Sequence, residues 1–130
     1  MSIYNGKSND DVLNTYLAVI RIAESGKDAR ASMANSVQRC YELAKIKAGA
    51  TSVSQAAITE HTNRIKNAYF GEEDRDALKM GLQLCYTARG ITPSTTANTL
   101  FNNLIGAQTG EALKNGILQC IVRCCQEVNK

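Results

Sequence analysis

Tryptophan is absent from this chain, phenylalanine occurs only twice, and 130 residues contain one proline (Pro93) and one histidine (His61). A single histidine leaves most Ser/His/Asp and Cys/His constellations without their base. One proline beside a hydrophobic fraction of 44% excludes a disordered or proline-rich chain. The longest aliphatic run is Leu17–Ile20, far short of the ~20 residues that span a bilayer, so no membrane partner is expected. Residues 1–8 lack the apolar stretch of a secretory leader, which points to the cytoplasm, or to that of a host entered by a virus or plasmid. No glycine-rich phosphate loop and no Cys-x-x-Cys pair is present. Catalytic residues, cofactors and a metal are therefore not expected, and the chain is read as a non-enzyme.

Apolar spacing follows the helical period almost throughout, and alternating strand-like patterns are nearly missing. The expected fold is all-α, one domain of about six short helices packed as a bundle. Ser8 is expected to cap the first helix, with Asp11 on the positive end of its dipole. Val12, Leu13, Tyr16, Leu17, Ile20 and Ala23 form its stripe, and Gly26 stops it. The second runs from about Asp28 to Ala48, turning Met33, Val37, Cys40, Tyr41 and Ala44 inward and Arg39, Lys45 and Lys47 to water, and Gly49 ends it. The third starts at Thr51 or Ser52 and reaches Gly71. The fourth covers Asp74–Ala88, with Leu78, Leu82 and Cys85 inside and Arg89-Gly90 as its exit. Thr92-Pro93 reads as the start of the fifth, a Thr cap followed by Pro at the first helical position; Ala97, Leu100, Phe101, Leu104 and Ile105 are its buried face. The sixth opens near Thr109-Gly110-Glu111. Gly81 and Gly116, inside helices, are expected where neighbours approach closely.

Aromatics make up 5% of the chain, so the core must be built from small residues that each bury little area. Subunit association would supply more burial. The sixth helix has the most apolar stripe, and Ile117, Ile121, Val122, Cys124, Cys125 and Val128 are the expected interaction face for a protein partner or a second copy. Five cysteines, an odd number with two adjacent, read as free buried thiols. Cys120 and Cys124 share a helical face, but two thiolates fall short of a structural zinc site.

The formal charge of +3 is mild, but residues 30–71 hold Arg30, Arg39, Lys45, Lys47, Arg64 and Lys66 against only Glu42 and Glu60. Within that stretch, Ser52-Val53-Ser54-Gln55-Ala56-Ala57-Ile58-Thr59-Glu60-His61-Thr62-Asn63-Arg64-Ile65 resembles the turn and recognition helix of helix-turn-helix DNA-binding proteins. The resemblance implies base contacts from Gln55, Thr59, Asn63 and Arg64 in the major groove, with Arg39, Lys45, Lys47 and Lys66 on phosphates. Gly90-Ile91-Thr92-Pro93-Ser94-Thr95-Thr96-Ala97-Asn98 resembles the same module and implies Ser94, Thr95 and Asn98 as a second set. The two segments align at an offset of 41 residues, Gly49 with Gly90 and Ala56 with Ala97. The stretch from His61 to Gly71, with Arg64 three residues after the histidine, resembles the phosphorylated segment of histidine phosphotransfer domains and implies His61 as phosphoacceptor. Protein binding or self-assembly is the leading expectation, DNA binding the alternative, and phosphotransfer a remote third.

Overall fold

Short polar side chains that take up an orphan backbone N–H decide where the helices begin. The computed structural model describes residues 7–23, 26–68, 72–107 and 110–130, without the side chains of 26–28 and 72–74. Its six helices are α1 (Asp11–Ile22), α2 (Gly26–Ala48), α3 (Gln55–Asn67), α4 (Glu72–Arg89), α5 (Thr95–Gly106) and α6 (Glu111–Val128), with no strand among the described residues. The chain is a single all-α domain.

Three helix starts fall two or more residues beyond the positions expected from sequence. Asp10, rather than Ser8, caps α1, accepting from the Leu13 N–H at 2.9 Å. Ser8 instead closes a tight loop beneath it, its hydroxyl accepting from the Asp10 N–H while the Asn14 carboxamide oxygen accepts from the Ser8 N–H and hydroxyl. Ser54, rather than Thr51 or Ser52, caps α3 through the Ala57 N–H. Ser94 caps α5 through the Ala97 N–H, so Pro93 precedes the cap instead of opening the helix. Gly26 does not stop α1: that helix ends at Ile22, where Ala23 turns extended, and Gly26 is the first residue of α2. Gly49 and Gly90 end α2 and α4 with φ of +78° and +81°, the left-handed region that glycine enters without steric penalty. At Gly90 the N–H reaches Thr87 and the next N–H, of Ile91, reaches Tyr86, a Schellman closure. The two glycines are 41 residues apart but the caps Ser54 and Ser94 only 40, so the second loop is one residue shorter. Gly71 and Thr109 lie outside the described residues.

Side-chain rungs fix the relative directions of the helices. A clasp between Asp10 and Arg39 at 2.8 Å ties the start of α1 to the second half of α2. A Lys114 bond to the Arg21 carbonyl ties the end of α1 to the start of α6. Both place α1 antiparallel to its neighbours. Arg39, expected in water, is thereby drawn into an ion pair. Arg30 donates to the Ala68 carbonyl and the Tyr41 hydroxyl to that of Val53 at 2.7 Å, making α2 and α3 antiparallel. Between α5 and α6 the rungs are Ser94 to Glu127, Cys120 Sγ to the Leu100 carbonyl, and Leu104 against Gly116, again antiparallel.

Among the described elements α2 is the hub, touching α1, α3, α4 and α6, while α5 touches only α4 and α6. The core runs through Leu13, Leu17 and Ile20 of α1, Val37, Cys40 and Tyr41 of α2, Ile58 and Ile65 of α3, Leu78, Leu82 and Cys85 of α4, Phe101 and Leu104 of α5, and the length of α6. Gly81 lets α4 close onto Val37 and Ile65, and Gly116 lets α6 close onto Leu104. Two expected core residues face out instead. Val12 and Ile105 sit one position off the i, i+4, i+7 lines that are buried, Leu13–Leu17–Ile20 and Ala97–Phe101–Leu104.

Candidate functional site

The expected interaction face on α6 lies inside the chain's own fold. Ile117, Ile121, Val122, Cys124, Cys125 and Val128 are all buried against α1, α2, α4 and α5. The burial assigned from sequence to a partner is thus supplied intramolecularly by the hub arrangement.

The residues of the first DNA-binding candidate are distributed around α2 and α3. Gln55 is exposed, but its amide donates to Gln38 at 3.0 Å and to Thr59 at 3.2 Å, while Gln38 donates to Thr62 at 3.1 Å. This polar ladder stitches α3 to α2 and occupies the amide group that would read a base. Asn63, Arg64 and Lys66 are exposed on α3, and Lys45 and Lys47 on α2. Residues two apart on a helix diverge by roughly 200°, so Lys45 and Lys47 leave α2 on different sides, as Arg64 and Lys66 leave α3. Lys45 lies over the Tyr41 ring, 5.7 Å from its centroid, and Arg39 is held by Asp10 and Glu42. The connection before α3 is six residues (49–54) and that before α5 five (90–94), against the three or four of a helix-turn-helix module.

In the second candidate, Ser94 is committed twice, as cap and as donor to Glu127, at 3.0 Å from its N–H and 2.6 Å from its hydroxyl. Glu127 is mostly buried and lies 3.8 Å from Arg123. Thr95 and Asn98 are exposed at the helix start. His61 is half-buried with Nδ1 2.9 Å from the Ala57 carbonyl, and Ile65, one turn on, is fully buried.

Sequence spacing did not disclose a cluster of thiols. Cys40 of α2, Cys85 of α4 and Cys124 and Cys125 of α6 meet where the three helices cross, each with no exposed surface. Cys85 Sγ reaches the Val37 carbonyl at 3.4 Å, one turn from Cys40, and Cys124 Sγ reaches the Leu82 carbonyl at 3.7 Å, one turn from Cys85. The neighbouring Cys124 and Cys125 thiols pull the Cys40 thiol down, while burial pushes those of Cys85 and Cys124 up. Cys120 stands apart on the α5 side, donating to Leu100, with its thiol pushed up to about 12 by burial. Each thiol lies on the inward face of its own helix, and only the helix-to-helix register brings four of them together. Among the described residues no three Cys, His, Asp or Glu side chains are arranged to hold a metal ion, and no helix is long and apolar enough to cross a membrane.

Fold and site together define a single-domain, all-α protein organised around a hub helix, with a thiol-lined centre. No family model, curated protein or solved structure matches the chain.

Proposed function

We propose that this protein is a non-catalytic helical module that self-associates through the outer face of α1. The observation that carries this reading is an apolar stripe on that face: Val12, Val19 and Ile22 are 45%, 41% and 77% exposed. With Thr15 they fall at i, i+3, i+7 and i+10, on the side of α1 opposite Leu13, Leu17 and Ile20. Among the described residues α1 touches only α2 and α6. A second copy fits it because the stripe is self-complementary about a two-fold axis. Antiparallel α1 helices would set small Thr15 and Ala18 at the crossing and Val12 of each copy beside Ile22 of the other. One helix face is smaller than the ~800 Å² that each partner of a stable pair buries, so the association is weak and concentration-dependent. Light scattering after size exclusion, over a concentration series, should show mass rising toward twice the 14.1 kDa of the chain. Val19→Asp and Ile22→Asp should each abolish that rise without lowering thermal stability. A strict monomer at high concentration, or a dimer indifferent to both substitutions, would end this reading.

DNA binding is the second reading, and the exposed polar side of α3, with Asn63, Arg64 and Lys66, is the observation that favours it. It requires affinity that falls steeply as salt rises and that is lost in Arg64→Ala. The divergence of the lysines and the commitment of Gln55 to α2 make it the weaker of the two.

A further inference from the structure

The threonine expected to cap α5 is left without that task. Ser94 takes the cap, and Thr92 is exposed in the connection between α4 and α5. Neither its hydroxyl nor its N–H has a hydrogen-bond partner among the described residues. The connection is held at both ends: the Gly90 and Ile91 N–H groups close onto α4, and Glu127 holds Ser94. Between those anchors the chain is extended. A residue before proline is pushed to the β or polyproline region, Pro93 fixes its own φ, and Ser94 has φ −66° and ψ 166°. Other exposed threonines, such as Thr59, Thr87 and Thr96, stand on helices. With one proline in the chain, Thr92-Pro93 is its only Ser/Thr-Pro step. Arg89, three residues before Thr92, ends α4 with a buried Nε that has no hydrogen-bond partner; its Nη2 reaches the Lys130 carbonyl at 3.4 Å.

We propose that Thr92 is a phosphorylation site for a proline-directed serine/threonine kinase, and that Arg89 receives the phosphate. A kinase must bring the acceptor hydroxyl up to the γ-phosphorus of a bound nucleoside triphosphate, which requires an exposed side chain on backbone not folded into a helix. A proline at the next position brings no N–H for the kinase cleft to satisfy. The Thr92 oxygen attacks the γ-phosphorus, and the bond from that phosphorus to the β–γ bridging oxygen breaks. The nucleoside diphosphate leaves with the electron pair, and the hydroxyl proton passes to the catalytic carboxylate of the kinase. The product carries roughly two negative charges and three acceptor oxygens. It stands two residues ahead of the α5 cap, on the positive side of that helix's dipole, and the unbonded Arg89 Nε is a charge-assisted donor for it. Lys130, joined to Arg89, and Arg123, beside Glu127, add positive charge at the same corner. Glu127 opposes them but is already engaged by Ser94 and Arg123. The phosphate thereby ties the end of α4 to the start of α5. Among the described elements α1 touches neither of these helices, so the site is separate from the self-association face.

The full chain, incubated with a proline-directed kinase and magnesium ATP, should gain one phosphoryl group by intact mass, and peptide mapping should place it on Thr92. The folded chain should be modified as fast as a synthetic peptide of residues 88–97, because the loop already presents the hydroxyl. Thr92→Val and Pro93→Ala should each stay unmodified. The phosphorylated parent should melt at a higher temperature than the unmodified chain. Arg89→Gln should take phosphate at the parent's rate and show no such rise. No incorporation, phosphate on another residue, a folded chain modified far more slowly than the peptide, or a rise in melting temperature that survives Arg89→Gln would each overturn the proposal. If the Pro93→Ala variant fails to fold, the map and rate of the parent protein still decide it.

Discussion

Adding one methyl group at each of two helix-interior glycines should give opposite results, because the space around them differs. An alanine Cβ at position 116 would stand 3.5 Å from the Leu104 Cα and Cδ1 atoms, ordinary van der Waals contact. The change removes glycine's backbone entropy penalty at no steric cost, so Gly116→Ala should stabilise by about 1 kcal/mol, which for a chain of this size raises Tm by about 3–5 °C. At position 81 the same Cβ would meet Val37 Cγ1 at 3.2 Å and Ile65 Cδ1 at 3.4 Å. Val37 is fully buried on the hub helix, and a β-branched side chain in a helix has essentially one rotamer. It cannot turn aside, and α4 must move off α2 by a few tenths of an ångström instead. Overpacking of this kind costs about 1–3 kcal/mol, so Gly81→Ala should be neutral at best and otherwise destabilising. Urea denaturation of the parent and both variants, followed by circular dichroism, measures the difference directly. Equal stabilisation by the two substitutions would show that α2 and α4 are not in close contact at Val37, and the hub arrangement would have to be abandoned.

Three further outcomes follow from the polar contacts. Arg39, hydrogen-bonded to Asp10, holds that carboxyl below its usual value. The stability this adds is present above pH ~4, the ordinary carboxylate range, and is lost as pH falls through the lower folded value. Asp10→Asn should therefore cost about 1–2 kcal/mol at pH 7 and progressively less in urea melts taken toward pH 2; a penalty independent of pH would refute the ion pair. Ser94→Ala removes a cap and takes the hydroxyl donor from the mostly buried Glu127, which keeps the residue-94 N–H and Arg123, so thermal unfolding should register a loss of about 2 kcal/mol. A double-mutant cycle with Glu127→Ala should then show strong coupling. The Tyr86 hydroxyl is buried without a hydrogen-bond partner, so Tyr86→Phe should be neutral or stabilising by up to about 1 kcal/mol; a clear loss of stability would show that Glu127 accepts from it.

Helix number, order and most inward faces were legible in the sequence because periodicity and capping are local properties. The α6 stripe, the Leu78–Leu82–Cys85 line and the close approaches at Gly81 and Gly116 all follow from spacing on one helix. The errors came where two local solutions compete and a distant residue chooses. Before α5, Thr92 and Ser94 can each cap a helix, and the choice falls on Ser94 because Glu127, thirty-three residues later, holds both its N–H and its hydroxyl. Before α1, Ser8 and Asp10 compete, and Arg39 decides for Asp10 by pairing with its carboxylate while that carboxylate caps Leu13. Neither choice is recorded within a ten-residue window.

The same reasoning explains why the α6 face expected to meet a partner is buried within the fold. An apolar stripe states only that a helix must be covered, not by what, and α6 met that need from within because α2, buried over most of its circumference, draws four helices around it. A chain poor in aromatics closes such a centre with residues small enough to interdigitate, and thiols serve as well as valines there. What the hub does not cover is the outer side of α1, a peripheral helix held by the Asp10 clasp at one end and Lys114 at the other. Those two tethers leave Val12, Val19 and Ile22 facing water. Cutting the clasp should therefore loosen α1 at its start while Lys114 still holds its end. Amide exchange should rise in residues 10–14 of Asp10→Asn and stay unchanged in residues 19–22; a uniform rise, or none, would show that the clasp does not hold that end.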